Sequence, residues 1–156
     1  MLSLGREYTP EITERQRGFA QVVVDAGADY IVGAHSHCIQ PYEVLKSADG
    51  RDVPCLWSAG NFISDINLKP PITRDTLILD LRLERDAEGR VVLASETYHP
   101  CRIMNMRSGP EQRNYAVVPA SANLRSNELK VALRDARERI TRVVGPGIRP
   151  SDDAAE

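Results

Sequence analysis

Residues 76–85 alternate without a break: Leu77, Leu79, Leu81 and Leu83 point one way, and Thr76, Ile78, Asp80, Arg82 and Glu84 the other. A period of two does not fit the surface of a helix, so this segment is expected to be a strand with one buried face. Asp86-Ala87-Glu88-Gly89 reads as a turn and Arg90 to Tyr98 as the returning strand, which predicts an antiparallel hairpin. The rest of the chain must supply what covers that face.

Two helices are expected to do so. Ser126 to Val143 carries Leu129, Leu133, Ala136 and Ile140 on an inner face and mixed charge outside, and Gly145-Pro146-Gly147 stops it. The acidic remainder, 145–156, reads as a disordered tail. Near the start, Thr9 is a candidate N-cap with Pro10 in the first helical position, Glu11 complementing the dipole and Gly27 as the stop. Its apolar stripe reads Ile12, Phe19, Val22, Val23 and Ala26. Further strands are expected at Ala28–Gly33, Tyr42–Lys46 and Val53–Ala59, with a turn at 48–52. The result is an α/β chain, a mixed sheet with packed helices.

A length of 156 residues suits one domain. A net charge of −2 and a pI near 5.9 disfavour nucleic acid or an anionic membrane as partner. No stretch is long and apolar enough to span a bilayer, and the first residues do not read as a signal peptide. Cys38, Cys55 and Cys101 are too few and too widely spaced for a disulfide framework, so reduced thiols are expected.

Chemistry concentrates in "VGAHSHCIQP", 32–41, which holds two of the chain's 3 histidines. In an extended segment, positions i and i+2 face the same side, so His35 and His37 can converge on a divalent metal. Two hydrogen-bonded loop histidines are the plainer alternative. Asp29, Glu43 and Asp65 could add a carboxylate but read as turn caps or solvent-facing residues. A non-catalytic structural zinc module is a second reading, because His99 and Cys101 echo His35, His37 and Cys38. The absence of a C-x-x-C pair and the intervening Pro100 weigh against it.

Four stretches in order extend the pattern: Glu7-Tyr8, then Asp25 to Asp29 ("DAGAD"), then Gly33, His35, His37 and Gln40, then Ser58, Gly60, Asn61 and Phe62. Between about Gly5 and Ile103 the chain resembles the CapA family of poly-gamma-glutamate capsule synthesis proteins, which has a calcineurin-like metallophosphatase fold. That resemblance implies part of a four-layer sandwich, a role in capsule or exopolymer synthesis, and a divalent metal (Mn, Zn or Fe) held by His35 and His37. Glu7, Tyr8, Gln40 and Asn61 would line the site. The family is often membrane-associated and extracytoplasmic, and a polymer or phosphoester substrate is implied.

Two departures qualify it. Ser3-Leu4-Gly5 stands where the family has a histidine before its own glycine, and the family's N-terminal half, with its first aspartate ligands, has no counterpart here. The chain is expected to be the C-terminal portion of such a domain over 1–120, followed by an amphipathic helix over 121–144. It is expected not to catalyse unaided and to need the missing half or a second copy as partner. A degenerate paralogue acting as a scaffold is a third reading, with Tyr8, Tyr42 and Trp57 as contact aromatics.

Overall fold

A computed structural model of the chain describes residues 2–64, 71–106 and 114–151. Candidate ligand Asp65 lies outside them. A four-stranded sheet is built from β1 (Leu2–Ser3), β2 (Ile31–Ala34), β3 (Ile39–Lys46) and β4 (Asp52–Ala59) in the order β1-β2-β4-β3. β2 runs parallel to both β1 and β4, and β3 is antiparallel to β4, so this sheet is mixed as expected. A second, antiparallel sheet has the order β5-β6-β7, from β5 (Asp75–Arg85), β6 (Val91–Asn105) and β7 (Tyr115–Pro119). A single 3-10 turn, Pro71–Thr73, leads into β5.

One face of the mixed sheet is covered by α1 (Glu14–Asp25). This helix begins four residues later than the Thr9-Pro10 pair suggests, because Thr13 makes the stronger cap. Thr13 Oγ1 accepts from Gln16 N at 3.2 Å while Gln16 Oε1 accepts from Thr13 N at 2.9 Å, a reciprocal capping box. Thr9 only accepts from Glu11 N, within the preceding loop. The buried stripe is correspondingly Gln16, Ala20 and Val24, not the one expected: Phe19 and Val22 are 48% and 64% exposed. Ala20 and Val24, one turn apart, bring the helix down onto Ile31, Val53, Cys55 and Trp57. The two parallel strands beneath approach closely as well. A Cβ on Gly33 would stand 1.9 Å from the Trp57 carbonyl oxygen, so only glycine fits there.

The other face packs on α2 (Asn127–Val144) and the second sheet. Ala136, Ile140 and Val144 of α2 meet Ile39, Tyr42, Leu56, Leu77 and Tyr98. Each large apolar side chain buried here is worth roughly 1.5–3 kcal/mol. Ser126, expected as the first helical residue, instead caps α2, and Gly145, at φ 83°, ends it as the sequence indicates. Two polar clamps join the layers. Tyr30, just before β2, and Tyr42 on β3 donate their hydroxyls to opposite oxygens of Glu96 on β6. Asp75 on β5, 3% exposed, accepts from Arg102 of β6 at 2.6 Å and from Arg139 of α2 at 2.7 Å.

The hairpin forms in the expected place, with Leu77 paired to Pro100 and Arg85 to Val91. Burial fades along it, from Leu77 at 4% to Leu83 at 59% exposed, because the tip reaches past the core. The expectation of a disordered stretch from residue 145 fails for its first part. β7 ends at Pro119, opposite Cys101, which leaves the Tyr98 backbone unpaired on that side. Residues 145–151 fill the gap: Tyr98 N donates to Arg149 O at 3.3 Å, Ser151 N donates to Tyr98 O at 2.7 Å, and Ile148 is buried. The chain is thus a mixed α/β fold with two small sheets and two helices among the described residues. None of those helices is long and apolar enough to cross a membrane.

Candidate functional site

β2 delivers the chain into a tight loop at His35–Cys38, at the C-terminal end of a parallel strand. The loop is not extended. His35 and His37 sit at φ 96° and 55°, and Tyr8, in the loop before α1, at φ 62°. Among the described residues these are the non-glycine residues with positive φ, and all three meet at one place. The Tyr8 and His37 rings stack with centroids 5.5 Å apart, and the His35 and His37 rings are 6.5 Å apart. Left-handed backbone costs a residue with a side chain about 1–3 kcal/mol and persists only where the surroundings enforce it. Here Tyr8 N donates to Ser36 O at 2.7 Å, and the buried Ser36 hydroxyl donates to Cys38 O at 2.7 Å. The i, i+2 convergence of the histidines is therefore achieved by a strained turn and not by a strand.

Asn61, just beyond β4, fixes the second histidine. Its Nδ2 donates to the carbonyl oxygens of His37 (3.2 Å) and Thr73 (3.0 Å), so its Oδ1 is the atom facing His37 Nδ1 at 2.9 Å. An amide oxygen only accepts, hence Nδ1 carries the proton and the neutral ring presents its lone pair at Nε2. Nε2 lies 3.9 Å from Glu7 Oε1. A histidine whose other ring nitrogen is so engaged is oriented as metal-ligating histidines are. Partial burial, followed by the adjacent Glu7 carboxylate, raises the Tyr8 phenol above its usual range.

Glu7, Tyr8, His35, His37 and Asn61 are thus brought together. Gln40 is not at the surface with them. It is 0% exposed, receiving Gln16 Nε2 at 3.1 Å and donating to Glu11 O at 2.9 Å, which makes it a strut beneath the loop that carries Glu7 and Tyr8. Its partner Gln16 was legible only as a capping residue, from the T-x-x-Q spacing. Asp29 and Glu43 lie elsewhere, paired with Arg51 and Arg17. Trp57 and Tyr42 are core residues, 2% and 6% exposed, and not contact aromatics.

Cys38, Cys55 and Cys101 are buried and unpaired. Burial pushes the Cys38 thiol up, the Cys55 thiol to about 12 and the Cys101 thiol to about 11. Among the described residues no three of His, Cys, Asp or Glu gather as a ligand set, so the closed zinc cluster is not assembled there. His35 and His37 with Glu7 alongside fall short of such a set as well.

Comparison with known proteins places this loop in context. Residues 1–66 match the family model described as bacterial capsule synthesis protein PGA_cap. They span α1, the strained loop and Asn61. Over these residues the chain is similar to the capsule synthesis family. The chain is 36% identical over 86 residues to the PGA biosynthesis protein CapA of Bacillus subtilis (strain 168), a match covering 55% of this chain and 21% of that protein. It is 41% identical over 61 residues to the capsule biosynthesis protein CapA of Bacillus anthracis, covering 39% of this chain and 14% of that one. The chain therefore matches about a fifth or less of the length of these capsule synthesis relatives.

Proposed function

We propose that this chain supplies the histidine-bearing edge of a divalent-metal, phosphoesterase-like site serving capsule polymer synthesis. The observation that carries the reading is the gathering of positive φ on His35, His37 and Tyr8, with Asn61 fixing the His37 tautomer. Strain held at one solvent-accessible cluster of imidazoles is a cost that packing does not require. The family match over 1–66 and the names of the relatives supply the capsule context, and a sandwich of the metallophosphatase type is the architecture this reading extends to. His35 and His37 would hold the cation, with Glu7 as its nearest carboxylate. A bound cation would supply Lewis-acid activation of a phosphoester. The remaining carboxylates would come from a further segment or a second copy, since two neutral imidazoles leave a dication's charge uncompensated.

Titrating the chain with Zn²⁺ and Mn²⁺ by calorimetry tests this. Weak binding that weakens further as the pH is lowered is expected, because ligation competes with protonation of the imidazoles. His35→Ala and His37→Ala should each abolish it. Binding unchanged in both variants would sink the reading.

A further inference from the structure

We propose that the open pocket beside His35 is an oxyanion site, in which Arg6 and Arg15 clasp a phosphate or carboxylate group of the substrate. The pocket has a volume of about 540 Å³ and is lined by Gly5, Arg6, Thr13, Arg15 and His35, among others. Its walls come from the loop before α1, the first turn of α1 and the strained histidine turn.

The state of its two arginines singles it out. Elsewhere the guanidinium groups are mostly committed to carboxylates: Arg17 to Glu43, Arg51 to Asp49, Arg90 to Asp86, and Arg102 and Arg139 to Asp75. The side chains of Arg6 and Arg15 have no ion pair or hydrogen bond among the described residues, and both are exposed. The nearby acids do not line the pocket. Glu7 faces His37 instead, and Glu14 is exposed on α1. Two forked, permanently charged donors in one concavity match the planar geometry of a carboxylate or phosphate. The N-terminal end of α1, capped by Thr13, adds positive potential from the same side.

The pocket's floor is also held in place. Gly5 has φ 130°, and a Cβ there would stand 2.7 Å from the buried Gln16 amide, so the backbone carrying Arg6 is seated on the same glutamine strut that supports Glu7 and Tyr8. Arg6 is thereby aimed by a packed, buried group although its own side chain is free. Because His35 lines this pocket and also faces His37, an anion seated here would lie next to the reactive edge assigned above. The proposal rests on that reading only for which part of a substrate is held, since an oxyanion can bind here without a metal.

The experiment separates the two claims by working in excess chelator. The full chain is titrated by NMR or calorimetry with inorganic phosphate and, in a second arm, with tricarballylate at matched ionic strength. Binding of either is expected, weakening as salt rises, and Arg6→Gln or Arg15→Gln should each weaken it about tenfold, the worth of a charge-assisted hydrogen-bond pair. Preference for phosphate would mark the phosphoester as the group held, and preference for tricarballylate the carboxylates of a polymer. As a control for surface charge, Arg142→Gln, on the exposed end of α2, should leave binding unchanged. No binding of either anion, or equal loss in the Arg142→Gln variant, would overturn the proposal. Either result would leave the metal titration of His35 and His37 standing on its own.

Discussion

Asn61 and His37 grip each other twice: the asparagine amide donates to the His37 carbonyl at 3.2 Å and its oxygen receives the ring proton at 2.9 Å. The loop's backbone conformation and the ring's tautomer are therefore set by one side chain. Asn61→Leu should destabilise the fold by about 1–3 kcal/mol, because the carbonyls of His37 and Thr73 lose their donor. It should also reduce metal affinity by about tenfold or more, since the tautomer is no longer fixed. Chemical denaturation and metal titration of the same sample read the two effects separately.

His35 gives the opposite sign for stability. Its ring is exposed and its backbone sits at φ 96°, where glycine is unstrained. His35→Gly should raise stability by about 1 kcal/mol while abolishing metal binding. A loss of stability in thermal unfolding would show that the turn holds His35 without strain.

The two buried glutamines form a coupled pair. Gln16→Leu strands Gln40 Oε1, and Gln40→Leu strands Gln16 Nε2, so each single change should cost about 1–3 kcal/mol. The double variant should cost less than the sum of the two, since no amide is left facing an apolar group. Additive losses in a double-mutant cycle would show that the glutamines act independently.

Much of the frame was readable before any coordinates. The hairpin announced itself because an alternating strand and a polar turn are local signals, and the same is true of the amphipathic stripe of α2 and its stop at Gly145. What escaped depended on competition or distance. Thr9 looked like the cap of α1, but Thr13 takes that place because Gln16 reaches back to it. Gln40 looked like a lining residue because a side chain's depth below a loop is not written in its spacing. The left-handed turn at His35 and His37 has no local marker, as neither residue is a glycine. The Asp75 clamp joins residues 27 and 64 positions apart in the chain, and no pattern in the sequence links them.

A pH effect follows from Arg17 and Glu43. Two hydrogen bonds, at 2.8 and 3.1 Å, let the Arg17 guanidinium hold the Glu43 carboxyl below its ordinary 4.5. A pKa lower in the folded than in the unfolded state stabilises fully above the unfolded value, and that contribution disappears as the pH falls through the folded one. The pair is a third or more exposed, so it is worth no more than about 1 kcal/mol. Arg17→Met should therefore be less stable than the parent at neutral pH, and the gap should narrow on acidification to pH ~3. Part of it should remain, because Arg17 also lies 5.5 Å above the Trp57 ring and that contact does not titrate with Glu43. A gap independent of pH would assign the whole effect to the aromatic contact.

The carboxylate of Asp75 has one further consequence, for how the molecule can be cut. It lies beyond residue 66, as does α2, whose Arg139 it holds and whose Ile140 and Val144 cover Ile39 and Leu56. The family-matched stretch thus has half its interior furnished by residues outside the match. Excised alone, it would present that apolar face to water, and the buried Asp75–Arg102–Arg139 tie that fastens α2 to β5 and β6 would stay behind with the remainder. The boundary of kinship along the sequence is therefore not a boundary of folding, and any swap of this stretch between relatives must carry a compatible lid from further down the chain.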